Sequence, residues 1–570
     1  MSQHATIKDA FGPGSFVDTA LIDVPTDSRR ILADLVRISP QLGVTPEELD
    51  LVDFAGDELS CIPGNIKSQA YAAALNALQA ILARQISALR GVDTGGIKID
   101  TDAAGLYPGT VALGFVDGQT LDKLDNVAEF GVDLDRECMT ETDLMYRTWS
   151  IYPTKDPNVW YQGIGNFNPK VWLKQHRIDP ATPHKDRDEA YEIIRKMTIK
   201  HSPEELEAID VNNGFCGQIV HTPKRWQELH YAKSLARHPL FNVEQALGSQ
   251  GLPPIEFSKI SGNDKRPLAG LKVLELARMI AAPELCRVLG SLGADVIKAQ
   301  SPNLHDVQGI SLSLTAGKRI APLDLNKAED AAHLKKLFDE ADVIVSAFRL
   351  KSLERRGFGL LDALEAAKKR GKGIVYVDLN TYGPDGYYAE RPGFQQVADA
   401  ASGCTYVLGR SLGYAPGTGV AMLPVADMLS GSVGVVNVLK ALRDRATKGG
   451  SYHSVVSLVA TDLYQLTEEC GLYSQETVDK IQAKYKFGHM GPETMVGELL
   501  AVVGKAWVQN GPHLLKKPGL WVTYESAWGQ SHTIQAPMIQ FENEGSSPKY
   551  NHAPVPFCSG SPREEWAVSI

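Results

Sequence analysis

The chain has little of what marks the specialised protein classes. Its seven cysteines lie scattered at 61, 138, 216, 286, 404, 470 and 558, with no Cys-x-x-Cys spacing. An odd, dispersed set of thiols excludes a disulfide framework and a cysteine zinc site, and predicts reduced thiols inside a cell. No Lys/Arg block stands out against a net charge of -10, so nucleic acid is not the expected partner. No unbroken apolar run is long enough for a bilayer, so no membrane contact is expected. The opening MSQHATIKDAFGPG carries neither a signal-peptide core nor an Arg-rich transit pattern, and Val568-Ser569-Ile570 is not a peroxisomal tripeptide. A cytoplasmic location is the resulting expectation.

What is present is an ordinary globular composition, 43% hydrophobic and 22% charged, on 570 residues, enough for more than one domain. Between Leu268 and about Leu463, short apolar strands at 273–276, 295–297, 320–325, 342–347 and 373–379 alternate with helical patterns at 283–292, 328–340 and 361–370. That alternation predicts an α/β fold with a mostly parallel sheet covered by helices on both faces. The first turn reads Ala277-Arg278-Met279-Ile280-Ala281-Ala282-Pro283 and lacks Gly-x-Gly-x-x-Gly, which sets aside a nicotinamide-dependent dehydrogenase.

Residues 245–266, aperiodic and rich in Gly, Pro and Ser, read as a linker. Before it, 140–244 mixes aromatic strands (146–152, 160–163) with charged helices (187–199, 203–208), as in a smaller α+β domain. Residues 68–90 predict an Ala/Leu-rich helix. After about 475, strand-like pieces at 520–524 and 533–541 predict a C-terminal segment, 476–570, that returns onto the core. A weak repeat relates 72–100 to 425–456: an Ala-rich helix, an Ala-Leu-Arg triplet, a Gly-Gly turn and a strand. Matching Ala88 to Ala441 places Ala74 opposite Asp427.

Asp427, in Pro424-Val425-Ala426-Asp427-Met428-Leu429-Ser430-Gly431, precedes a helical pattern over 432–443. An acid there serves as a helix cap, or as a carboxylate nucleophile beside a positive helix end.

Residues 267–460 resemble the class III CoA-transferases, the family of formyl-CoA and carnitine CoA-transferases and α-methylacyl-CoA racemase. The resemblance rests on ordered segments: 267–276, 289–298, Gly317-Lys318-Arg319 with Leu323-Asp324-Leu325, 341–345 with Phe348-Arg349 and Leu353-Glu354-Arg355. Tyr382-Gly383-Pro384, Arg391-Pro392-Gly393-Phe394, Ala401-Ser402-Gly403 and Val425-Ala426-Asp427 with Gly431 complete it. It implies a Rossmann-like large domain over 267–475. Gly214-Phe215-Cys216-Gly217 resembles the family's small-domain segment, and 55–105 the end of another large domain within an N-terminal region, 1–139. The implied architecture is a rearranged or partly duplicated one, and the family's interlocked dimers imply a homodimer.

The resemblance also implies chemistry. Asp427 would attack an acyl-CoA thioester and carry covalent aspartyl intermediates while CoA passes to a small carboxylic acid. CoA contacts fall on Met279, Ile280, Ala281, Lys298, Lys318, Arg319, Leu323, Phe348, Arg349, Arg355 and Phe394, although each cation reads equally as an exposed surface charge. Small neighbours Ala426, Ser430 and Gly431 would leave room for the thioester. No metal and no resident cofactor are expected, CoA and acyl-CoA being substrates. Ile280, Ala347 and Gln300 depart from the family's Gln, Asn and acid, which admits a CoA-binding protein without catalysis as an alternative. A racemase is disfavoured, since Phe394-Gln395 replaces its His-Asp pair and neither exchanges a proton near neutral pH.

Overall fold

Short runs of Val, Ile and Leu become seven strands of one sheet: β1 (Val243–Gln245), β2 (Lys272–Leu276), β3 (Asp295–Gln300), β4 (Lys318–Pro322), β5 (Val343–Ser346), β6 (Val375–Asn380) and β7 (Tyr452–Ser457). This computed structural model describes residues 4–120, 141–249, 251–260, 264–304, 313–525, 531–554 and 564–566. The strand order is β1-β7-β6-β5-β2-β3-β4, with β1 as an antiparallel edge and every other pairing parallel. From β2 onward this is the Rossmann order: the chain starts centrally, fills one side, crosses back and fills the other. The reversal lies between β2 and β5.

Parallel neighbours require crossovers, and those that follow β2, β4, β5 and β6 contain helices. The helices are α1 (Ala281–Ser291), α2 (Ala328–Glu340), α3 (Leu360–Arg370), α4 (Gln395–Ser402), α5 (Val425–Lys448) and α6 (Leu458–Gln465). Alternate strand residues point to opposite faces. Leu274, Ile297, Ile344 and Tyr376 meet Leu334, Leu337 and Phe338 of α2 and Ala363 and Ala367 of α3. Val273, Val296, Val343 and Val375 enter the larger core with Leu285 of α1 and Val433 and Val436 of α5. Both faces are covered, which is why these strands read as apolar runs rather than alternating ones.

Three expectations shift. Helix α5 starts at Val425, not Ser432, so Asp427 lies inside its first turn. The strand expected over 320–325 occupies 318–322 and ends at Pro322, which has no N–H to extend a ladder. Residues 146–152 are not one strand. Thr142 caps a helical turn, Asp143–Tyr146, a 3-10 turn follows, and only Ile151–Pro153 is extended. That strand pairs with Trp160–Gln162, which pairs with Gln218–Ile219 over a separate core of Tyr152, Tyr161, Trp172 and Leu206.

The repeat is visible as packing. The Ser68–Leu89 helix lies against α5, and Gln79 Nε2 donates to Ser432 O at 3.3 Å across 353 positions, the repeat offset. After each helix come a Gly-Gly pair, a strand (Ile97–Asp100 or β7) and a side-chain-capped helix, with Asp100 and Ser457 as the caps. Ala74, the counterpart of Asp427, is fully buried. The C-terminal strands return to this N-terminal half: Ser531–Gln535 pairs with Gly114–Val116, and Ile539–Phe541 with Ile97–Asp100. They are two strands rather than one over 533–541, because Pro537 interrupts the ladder.

Helix α5, although long and apolar enough to cross a bilayer by composition alone, is almost wholly enclosed by protein. Its glycines permit this. A Cβ at Gly431 would meet Ala281 O at 2.8 Å, and one at Gly434 would meet the Leu285 side chain. Gly431→Ala therefore tests the packing. Helix propensity favours Ala by about 1 kcal/mol, but overpacking against a backbone oxygen costs about 1–3 kcal/mol. We expect a net loss of stability in urea denaturation, whereas a gain would show that α1 and α5 are not in close contact.

Candidate active site

Open parallel sheets bind ligands beyond the carboxyl ends of their strands, at the reversal of strand order. A cavity of about 260 Å3 lies there. The turn after β2 supplies Arg278, Met279, Ile280 and Ala281, the loop after β5 supplies Ala347, Phe348 and Arg349, and β6 ends in Asn380 and Thr381. Arg391–Phe394, Leu458 and Asp427 complete this wall, and Asn166 and Phe167 of the 140–244 segment form the opposite one. The turn after β2 is strained: Met279 holds φ +66°, a left-handed conformation rare outside glycine.

Asp427 occupies the first turn of α5, where the helix dipole favours a negative charge. It is no cap: the capping position is Pro424, and the helix start has no side-chain cap bond. Among the described residues, no donor hydrogen-bonds its half-buried carboxylate. Burial alone raises its pKa to about 7, because removing water disfavours the charged form. Near neutral pH the group therefore divides between acid and anion.

Met279, Ile280, Ala281, Phe348, Arg349 and Phe394 line the same cavity as Asp427. Phe394 is held edge-on by Trp149 and Phe167, with ring centroids 5.1 and 5.9 Å away. Arg349 donates to Gly214 O at 3.2 Å, so the 214–217 segment packs against the site. Five other expected CoA contacts do not line the cavity. Lys318 is fully buried and donates to Glu275 Oε2 and Pro283 O, each at 2.6 Å. Lys298 is equally buried, 3.8 Å from the same Glu275. An acid inside the sheet attracts both ammonium groups, and neither is the surface cation that was the alternative. Arg319 is held by Asp295 and Glu564. Leu323 belongs to the core over α2 and α3, and Arg355 lies exposed in a 3-10 turn, bonding Lys351 O. Ser430 and Gly431 also face away: the Ser430 hydroxyl bonds Thr461 at 2.9 Å, and Gly431 packs on Ala281.

Sequence reasoning missed several lining residues. The Arg278 guanidinium lies 4.4 Å over the Phe167 ring, a cation–π contact joining the two walls. Arg391 stacks 3.9 Å over Tyr388 and donates to Gly217 O. Both arginines sit in segments already singled out. Asn166 and Phe167 carried no local signal.

The pattern of CoA-transferase family III matches residues 268–492. An acyl-CoA transferase of Gibberella moniliformis is 42% identical over 564 residues, covering 97% of this chain and 98% of that protein. The chain belongs to CoA-transferase family III. The acetyl-coenzyme A transferase nodX of Hypoxylon pulicicidum is 26% identical across 93% of this chain and 91% of its own length. Among solved structures, a CaiB/BaiF family protein from Brucella suis aligns at 28% identity over 35% of this chain and 55% of that one, with a TM-score of 0.31. The family pattern covers the Rossmann-like half, whereas the two fungal relatives also match the N-terminal half.

The donor-free setting of Asp427 has a thermodynamic consequence. The folded state binds its proton more tightly than the unfolded chain, so stability declines as pH rises from about 4 to 7 and then levels off. Asp427→Asn should thus be more stable than the parent at pH 8, by roughly 1–3 kcal/mol. The difference should shrink toward pH 4 when followed by urea unfolding. A difference that stays constant with pH would contradict the raised pKa.

Proposed function

We propose that this CoA-transferase family III member moves CoA from an acyl-CoA donor to a carboxylic acid through covalent intermediates on Asp427. One observation carries the reading: the carboxylate lies in the cavity at the strand-order reversal, desolvated and, among the described residues, without a hydrogen-bond donor. Water and donors blunt a carboxylate as a nucleophile, so this setting favours attack.

One Asp427 oxygen attacks the thioester carbonyl. The C–S bond breaks, CoA leaves as thiolate and a mixed anhydride forms. The thiolate then attacks the aspartyl carbonyl, releasing the donor acid and leaving an aspartyl-CoA thioester. The acceptor carboxylate attacks that thioester, and the same two steps run in reverse to give acceptor-CoA and free Asp427. Met279–Ala281, Phe348 and Arg349 would hold CoA, with Phe394 against the acyl group. Racemisation would need proton-exchanging groups about the acyl α-carbon, and Phe394 supplies none.

Turnover with acyl-CoA donors in the presence of hydroxylamine, followed by peptide mapping, should place a hydroxamate on Asp427. Asp427→Asn should fold and lose transfer by at least about a thousandfold. Hydroxamate on another residue, or full activity in the variant, would refute the reading.

A further inference from the structure

The N-terminal half meets the nucleophile's helix at a buried polar cluster that the mechanism above does not use. Tyr107 opens the 3-10 turn Tyr107–Gly109, directly after the helix that Asp100 caps. Its hydroxyl lies 2.7 Å from Glu284 Oε1, 3.2 Å from Ser432 Oγ and 3.3 Å from Met428 O. A carboxylate only accepts, so the phenol donates to Glu284 and is left to accept from Ser432. Glu284 also takes two bonds from Arg287, at 2.7 and 3.0 Å, and the Arg287 guanidinium lies 5.7 Å over the Tyr550 ring. Tyr107, Glu284 and Arg287 are all buried.

The cluster bears on the site through two helices. Met428 follows Asp427 directly, and Ser432 lies one turn beyond it along α5. Residues four apart share a helix face, so Gly431 stands on the Asp427 side of α5. There a Cβ would meet Ala281 O at 2.8 Å and the Glu284 side chain at 3.0 Å. Ala281 also lines the cavity, in the turn proposed to hold CoA. Glu284 therefore packs on Gly431 and reaches Tyr107 from there. A buried ion pair is weak evidence for stability, since well-packed apolar groups of like volume often serve as well; its best-attested use is to fix register. Here the register matters, because attack depends on the distance between the reacting atoms.

Resting on the reading of Asp427 as nucleophile, we propose that Tyr107 is a positioning residue. Its hydroxyl, bonded to Glu284 of α1 and Ser432 of α5, sets the spacing between a thioester held by the Met279–Ala281 turn and the Asp427 carboxylate. The N-terminal copy, with Ala74 in place of the acid, thereby acts on the chemistry of the other copy, although Tyr107 does not line the cavity.

Tyr107→Phe removes the hydroxyl and keeps the ring. Tyr161→Phe is the control: this buried tyrosine also donates to a carboxylate, Asp210 Oδ2 at 2.6 Å, within the separate core of the 140–244 segment. For transfer from acetyl-CoA to propionate, Tyr107→Phe should lower kcat about tenfold while KM for acetyl-CoA stays within about twofold. Tyr161→Phe should keep both constants near those of the parent, even where urea unfolding shows an equal loss of stability. Ser432→Ala cuts the same link from the α5 side and should also lower kcat. Added to Tyr107→Phe it should change kcat by less than about twofold, since the contact is already gone. Should Tyr107→Phe fail to fold, Ser432→Ala alone carries the test. Parental kcat in the variant that removes the link, an equal loss in Tyr161→Phe, or a loss carried by KM overturns the proposal. Asp427→Asn keeps the two ideas apart. Undiminished transfer there refutes the nucleophile, whereas an inactive Asp427→Asn beside a fully active Tyr107→Phe refutes only the positioning.

Discussion

The structure turns on one unfavourable act, the desolvation of Asp427. A carboxylate with no donor is disfavoured as an anion, and its raised pKa of about 7 expresses that penalty. The surrounding fold sustains it. Gly431 and Gly434 let α5 lie directly on α1, Ser430 ties it to α6, and Gln395 binds the carbonyls before it. Among the described residues no side chain donates a hydrogen bond to the Asp427 carboxylate, although Arg278, Arg349 and Arg391 line the same cavity. Burial thus favours the neutral form of this group.

Both walls of the cavity come from one chain. The Rossmann-like half supplies the strand ends and Asp427, and the preceding 140–244 segment supplies Asn166 and Phe167. Arg278 over Phe167 joins them. The N-terminal half repeats the helix, Gly-Gly turn, strand and capped helix, but Ala74 replaces the carboxylate and is buried. One copy carries the Asp427 carboxylate, and the Ser68–Leu89 helix of the other packs against α5.

Much of this was legible in the residues. Strands such as Val343–Ser346 are buried on both faces and so announce themselves as apolar runs, and the helices between them carry periodic apolar positions. The place of Asp427 was legible from ordered motifs, but its role as a cap was not excluded until the helix was seen to begin at Val425. Lys298 and Lys318 misled because sequence does not reveal that Glu275, on β2, claims both inside the sheet. Asn166 and Phe167 lie more than 250 residues from Asp427, and only the tertiary fold unites them.

The central claim concerns where an oxygen atom goes. If the acceptor carboxylate attacks an aspartyl-CoA thioester, the bridging oxygen of the resulting anhydride comes from the acceptor and stays on the aspartate when CoA departs with the acyl group. Turnover with an 18O-labelled carboxylic acid, followed by peptide mass spectrometry, reads this directly. The account predicts heavy oxygen on the peptide carrying Asp427 and, after further cycles, in the released donor acid. Transfer that proceeds while Asp427 stays unlabelled would contradict it.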